Sequence, residues 1–469
     1  MKRLFGFFLF VTFLSSLSFA GPWGIVVNLA SMNIQTIDFG QTPPKVYGPF
    51  LTGSLGGATQ ELLDVAITPD SHYALVSNFI GGKIYRIDIS DPTNPVLAGT
   101  IYTGSFGIEA GPEDIAISPN GKFAVVSDGG YISKLAFIDL SSFSNSSLYT
   151  LTSGLTANAV AIGNDNSTII MPDAGNSRII FGRVNATFTG LISETNLYAE
   201  GGPLNISISP DGSTVLTAGW DYIVSVFRIT GPGTVVPGSP TKITGFHERP
   251  QSIAFSTDGK KAYVLSSGYP NSFAWLQVNG PGNVTLGADR AAYLSSYSGG
   301  ANYGVDGLAV SPNGNYALAG NTMYSSDARN RVTLVNLSTY QATAIDATQI
   351  DMASVATFNE AVFPPSNAEA LRMTNNYIFY KEHINRLTWE ASAKNKFPIS
   401  TYRIYRKAAG DPDSAYIQIS EVDSSVFKHD DRGLGKNEGF IYRITSVTNR
   451  GLESPPVEVN SLVFLRRVR

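Results

Sequence analysis

Residues 114–128 read DIAISPNGKFAVVSD, and that stretch decides the fold. Ile115 and Ile117 alternate with small residues, the pattern of a strand buried on one side. Pro119-Asn120-Gly121 is a turn: proline presets φ, and Asn-Gly suits a left-handed corner. After the turn, Ala124 to Val126 is continuously apolar, as in a strand covered on both faces. The phrase therefore predicts two antiparallel strands joined tightly.

Outward from it the same phrase recurs. DVAITPDSHYALVSN (64–78) precedes it, and AVAIGNDNSTIIMPD (159–173), NISISPDGSTVLTAG (205–219), SIAFSTDGKKAYVLS (252–266) and GLAVSPNGNYALAGN (307–321) follow. Their turns are anchored at Pro69, Pro119, Asn164, Pro210, Thr257 and Pro312, at steps of 50, 45, 46, 47 and 55 residues. A further alternating strand follows each phrase, such as KIYRIDIS (83–90) or KLAFIDLS (134–141), and the spacer leaves room for a poorer fourth. Four strands per unit make one blade of a β-propeller.

A seventh unit is split. Residues 24–38, GIVVNLASMNIQTID, match the second and third strands of a blade but lack the first. MASVATF (352–358) has the small-apolar alternation of that missing strand and would close a seven-bladed ring, removing the exposed edges. Six blades would make the N-terminal strands an appendage. Eight would require a cryptic blade in a long spacer.

These repeats resemble the YVTN-type β-propeller family, close in pattern to the lactonase-like propellers, over roughly residues 22–365; VVNLASMNIQTIDF and ALVSNFIGGKIYRIDIS carry the likeness best. The fold expectation is an all-β, seven-bladed propeller over residues 21–365. Beyond Pro364-Pro365 the pattern changes. RLTWEAS (386–392), STYRIYRKA (400–408), YIQISEV (416–422) and FIYRITSVTNRGLESPPVEV (440–459) resemble a fibronectin type III module, an immunoglobulin-like β-sandwich. The resemblance makes Trp389 its buried tryptophan and sets the domain at 366–462.

Residues 1–20 carry Lys2 and Arg3, an apolar run from Leu4 to Leu14, and small residues at Ser18 and Ala20, the grammar of a secretory signal peptide cut before Gly21. No later segment has eighteen uninterrupted apolar residues, so no membrane span is expected after cleavage. A secreted, periplasmic or cell-surface location follows. The chain of 469 residues has no cysteine, which excludes disulfides, thiol nucleophiles and cysteine-ligated zinc. With 33 basic and 37 acidic residues the net charge is −4, which leaves no footprint for nucleic acid.

No G-x-S-x-G elbow, P-loop, H-E-x-x-H or EF-hand loop occurs. Of the four histidines, His72, His383 and His429 read as surface residues, and only His247, in GFHERP, precedes an inner strand. In the propellers this chain resembles, residues just before each inner strand ring one mouth of the channel. Here these are Asp64, Glu113, Asp114, Asn158, Asn205, Gln251, Asp306 and Asp351. Convergent carboxylates and amides would suit Ca²⁺. PEDIAIS, TANAVAIG, PLNISIS and VDGLAVS resemble the strand starts from which paraoxonase-type and gluconolactonase-type propellers draw calcium ligands. That likeness implies Glu113, Asn158, Asn205 and Asp306 as ligands of a metal that polarises a lactone or ester carbonyl. The simpler reading is preferred: the same residues cap strand ends, bind channel water and hold neighbouring blades together, with no cofactor.

Tyr, Ser, Gly and Asn in AAYLSSYSGGANYG (291–304) compose either an adaptable recognition loop or a plain spacer. The expectation is an exported, non-enzymatic binding or scaffold protein of the bacterial envelope or exterior, taking a protein, peptide or glycan ligand. Its rivals are a Ca-dependent lactonase or esterase and an oligomerising subunit of a surface layer or filament.

Overall fold

A computed structural model describes residues 22–28, 31–41, 43–56, 61–103, 111–128, 134–152, 159–267, 272–287, 292–293, 307–320, 331–346, 353–359, 361–395, 398–436, 438–449 and 451–461. Strands β1 (Trp23–Asn28), β2 (Asn33–Asp38) and β3 (Lys45–Phe50) open the chain. Four-stranded antiparallel meanders follow. They comprise β4–β7 (Leu62–Ile67, Tyr73–Asn78, Lys83–Asp88, Val96–Tyr102) and β8–β11 (Ile115–Ile117, Phe123–Ser127, Lys134–Asp139, Ser144–Thr150). Next come β12–β15 (Ala161–Ile162, Thr168–Asp173, Arg178–Val184, Leu191–Tyr198) and β16–β19 (Pro203–Ile208, Thr214–Gly219, Val224–Gly231, Thr234–Ile243). In β20–β23 (Arg249–Phe255, Lys261–Ser267, Ser272–Gly280, Asn283–Leu286) a short β24 (Ala292–Tyr293) also pairs β22. The meander β25–β28 (Leu308–Val310, Tyr316–Ala319, Arg331–Asn336, Ala342–Asp346) ends the series.

The next strand, β29 (Ala353–Phe358), returns to the beginning. It pairs antiparallel with β1, Val355 opposite Val26 and Ser354 opposite Val27, so the first sheet runs β29-β1-β2-β3. Inner strands also neighbour one another in sequence, from β29 to β4, β8, β12, β16, β20 and β25, and β25 lies beside β29. The succession closes on itself. The result is a nearly all-β structure of propeller type.

Alternation along each buried strand explains why the sheets stack. Ile25 and Val27 pack with Val65, Ala74 and Val76 of the following sheet, whereas Val26 between them packs with Leu318, Val332 and Leu334 of the preceding one. Leu75 likewise turns away from Ala74 and Val76 to meet Ile115 and Val126. One strand thus serves two hydrophobic interfaces. Each of these fully buried aliphatic side chains contributes on the order of 1.5–3 kcal/mol.

The repeated phrase proves to be a hydroxyl-clasped turn. Ser118 Oγ donates to Asn120 Oδ1 and accepts from the N–H of Phe123, while the N–H of Lys122 donates to Asn120 Oδ1. The same bonds recur at Thr68/Asp70, Ser256/Asp258 and Ser311/Asn313. In the divergent third copy Gly163 has no hydroxyl, and Thr168 takes over by donating to Asp165 at 2.6 Å. The corner residue is left-handed in every copy: Ser71, Gly121, Asn166, Gly212, Gly259 and Gly314 have φ between +56° and +74°.

After the ring come β30–β36 (Ser366–Asn376, Lys381–Glu390, Ile399–Ala408, Ile417–Asp423, Lys428–Leu434, Phe440–Thr448, Val457–Ser461). They form a three-stranded sheet, β30-β31-β34, and a four-stranded sheet, β33-β32-β35-β36. Leu387 and Trp389 of the first sheet share a core with Tyr402, Ile404, Tyr442 and Ile444 of the second. A buried polar network sits beside it: Asn385 Nδ2 donates to the Tyr442 hydroxyl and to Ser461 Oγ, and Tyr442 donates to Asp431.

Phe363 joins the two parts. Its ring stacks on His72 at a centroid distance of 4.1 Å, and its backbone exchanges hydrogen bonds with the side chain of Asn395. The surface role expected of His72 is corrected here, because an aromatic segment from the far end of the chain covers it. His429 is likewise half-buried, and desolvation lowers its pKa.

Candidate functional site

The inner strands begin irregularly, and that irregularity sets the site. The β-ladder shifts between Leu62 and Val65, between Pro203 and Asn205, and between Pro250 and Ser252, so Asp64, Asn205 and Gln251 lie at or beside bulges that re-aim their side chains. Serines of the second strands satisfy the displaced backbone: Asp64 N–H donates to Ser77 Oγ, and Asp114 N–H to Ser127 Oγ. Ser77 Oγ in turn donates to the carbonyl of Glu113, tying the β5 strand to the start of the next sheet.

Aimed this way, the side chains reach their neighbours' backbone. Asp64 Oδ2 accepts from the N–H of Ile115 at 2.9 Å, Asp114 Oδ2 from that of Val160 at 2.7 Å, and Asn205 Oδ1 from that of Ile253 at 3.3 Å. Ser354, on β29, donates to Asp64 Oδ1 at 2.9 Å, extending the latch across the junction of the chain's two ends. Hydrogen bonds of this kind contribute about 0.5–1.5 kcal/mol each, more where the acceptor is charged.

Asp64 and Asp114 are close enough for each carboxyl to shift the other. Burial pushes the Asp64 carboxyl upward, opposed by the Ile115 N–H and Ser354 hydroxyl. For Asp114 burial acts together with the charges of Asp64 and Glu113 and lifts the pKa well above the ordinary carboxylate value of 3.8. Neighbouring carboxylates oppose each other's ionisation.

The other expected mouth residues divide as follows. Glu113 and Gln251 are half-buried at the starts of their strands, and His247 is exposed in the loop before β20. Asn158, Asp306, Asp351 and most of the 291–304 segment lie outside the described residues, as do residues 1–20. The amide oxygen of Asn205 and both carboxylate oxygens of Asp64 accept from protein donors. Nothing in the sequence signalled that Asp64 and Asp114 would be neighbours, since they meet only once the ring is formed. The serines ending ALVSN and AVVSD were the one local trace.

No family model matches the chain. A methanethiol oxidase from Pongo abelii is 29% identical over 75 residues, a span of 16% of this chain and 15% of the oxidase. Solved structures are similar over far more. A functionally unknown protein from Desulfotomaculum acetoxidans superimposes with a TM-score of 0.56 at 16% identity, covering 72% of this chain and 99% of that one. A periplasmic gluconolactonase from Pseudomonas aeruginosa gives 0.52 at 16% identity, covering 72% and 99%. The chain has a lactonase-like β-propeller fold. At such identities the likeness speaks for the fold alone. Among the described residues no helix is long and apolar enough to cross a membrane.

Proposed function

We propose that the chain is an exported, non-enzymatic binding or scaffold protein: a seven-bladed propeller over residues 21–365 followed by a fibronectin type III-like sandwich over 366–462. The observation that carries this reading is the use made of the mouth oxygens. Asp64, Asp114 and Asn205 direct theirs to the backbone of the next inner strand, which is structural work. Closure of β29 on β1 and the unbroken succession of inner strands support the blade count. The core shared by the two C-terminal sheets, with Trp389 against Tyr402 at 5.6 Å, supports the sandwich. Export rests on residues 1–20.

The competing reading is a Ca-dependent lactonase or esterase using Glu113, Asn158, Asn205 and Asp306. Two measurements on the purified chain decide between them. A panel of lactones and esters should show no turnover above buffer, and calorimetric titration with Ca²⁺ should show no saturable heat. Turnover abolished by Glu113→Gln, or Ca²⁺ binding that raises the melting temperature, would overturn the scaffold assignment. A subunit of a surface layer or filament is a scaffold of a particular kind, recognisable by self-association in sedimentation.

A further inference from the structure

The hairpin joining β30 to β31 ends in Tyr377-Ile378-Phe379-Tyr380. The N–H of Tyr377 donates to the carbonyl of Tyr380, so Ile378 and Phe379 are the two corner residues. They are 92% and 94% exposed, and the flanking tyrosines 47% and 62%. Hairpin corners ordinarily carry Asn, Gly or Asp. Four consecutive exposed apolar residues are a cost to a soluble surface unless something uses them.

The tip is layered along its axis. Ile378 and Phe379 form the apex. Behind them the two tyrosine rings stack at a centroid distance of 4.6 Å. Behind the rings lies a polar collar, in which Glu382 accepts from Asn375, from the Tyr377 hydroxyl and from Arg432. Arg432 neutralises that carboxylate, and exposed Lys381 follows the tip directly. Apolar apex, phenol belt and cationic collar are the order in which a bilayer presents hydrocarbon, interface and headgroup.

We propose that this tip inserts into a lipid surface and docks the C-terminal sheets on it. The apex is convex and small. Three aromatic rings and an isoleucine at these exposures offer roughly 500 Å², below the ~800 Å² per partner that a stable protein interface buries. A fluid hydrocarbon layer requires no shape complement. The collar, with its one carboxylate paired, presents no repulsion to anionic headgroups.

The test uses the chain from Gly21 onward, so that the apolar leader binds no lipid on its own account. Vesicles of phosphatidylcholine, with and without phosphatidylglycerol, are mixed with Phe379→Trp. The introduced indole should shift to the blue and be quenched by brominated acyl chains. The double variant Ile378→Asp/Phe379→Asp should lose about tenfold or more of the partitioning while melting like the parent. Absence of quenching overturns the proposal, even if the variant proves less stable. So does partitioning unchanged by the two aspartates, or a blue shift that grows with protein concentration without vesicles, which would make a second copy the occupant.

Discussion

Asp114 shows how one residue can be half of a site and a source of strain. Its folded pKa lies above the unfolded value, so between 3.8 and that raised value the native chain binds more protons than the unfolded one. The sign follows: the pair's contribution is complete below pH 3.8 and declines as pH rises through that window. Asp114→Asn keeps an acceptor for the Val160 N–H while removing the titration. It should raise the melting temperature at pH 7 and change it little near pH 3, as melting curves at the two pH values would record. Gly121 makes a second residue-scale case. A Cβ there meets Pro69 at an ordinary 3.6 Å, so Gly121→Ala isolates the cost of φ +68°. Denaturant titration should report a loss of about 1–2 kcal/mol.

Among the elements, the inner three strands of each propeller sheet were legible in the sequence and the outermost was not. Ile115-Ala116-Ile117 and Ala124-Val125-Val126 carry their pattern because both faces are covered by neighbouring sheets. The outermost β7, β15 and β19 lie open to solvent, so Val96, Leu97, Ile192 and Tyr198 are exposed among polar residues and no periodicity marks them. The third copy, with Gly163 where others have a hydroxyl, was recognisable only by its spacing. Its clasp had moved to Thr168, a substitution visible only in three dimensions. His72 was misread for a related reason: Phe363 is remote in sequence and packs on it after the ring has formed. Phe363→Ala should therefore loosen the junction between ring and C-terminal sheets. Small-angle scattering should show a larger radius of gyration, while the melting of the ring itself shifts by no more than about 1–2 kcal/mol equivalent.

At the scale of the whole molecule the account depends on one circle. The ends of the chain share a sheet through β29 and β1, Ser354 reaches across to Asp64, and the hydrophobic interfaces pass from sheet to sheet until the last rejoins the first. The split first sheet was legible because MASVATF matched the strand that residues 24–38 lacked. Asp64, Asp114 and Asn205 were legible as residues placed before inner strands but not as bonds to the neighbouring backbone, because an oxygen before a strand serves a metal or a neighbour's N–H equally well in sequence. Closure is tested most directly by the thermal melting of two truncations, one ending at residue 350 and one at residue 366. The second, which keeps β29 and Phe363, should melt cooperatively near the parent temperature. The first should melt far lower, or fail to fold, although it keeps every complete repeat of the phrase. Equal melting of the two would contradict the closed ring, and with it the interpretation of the mouth as a latch.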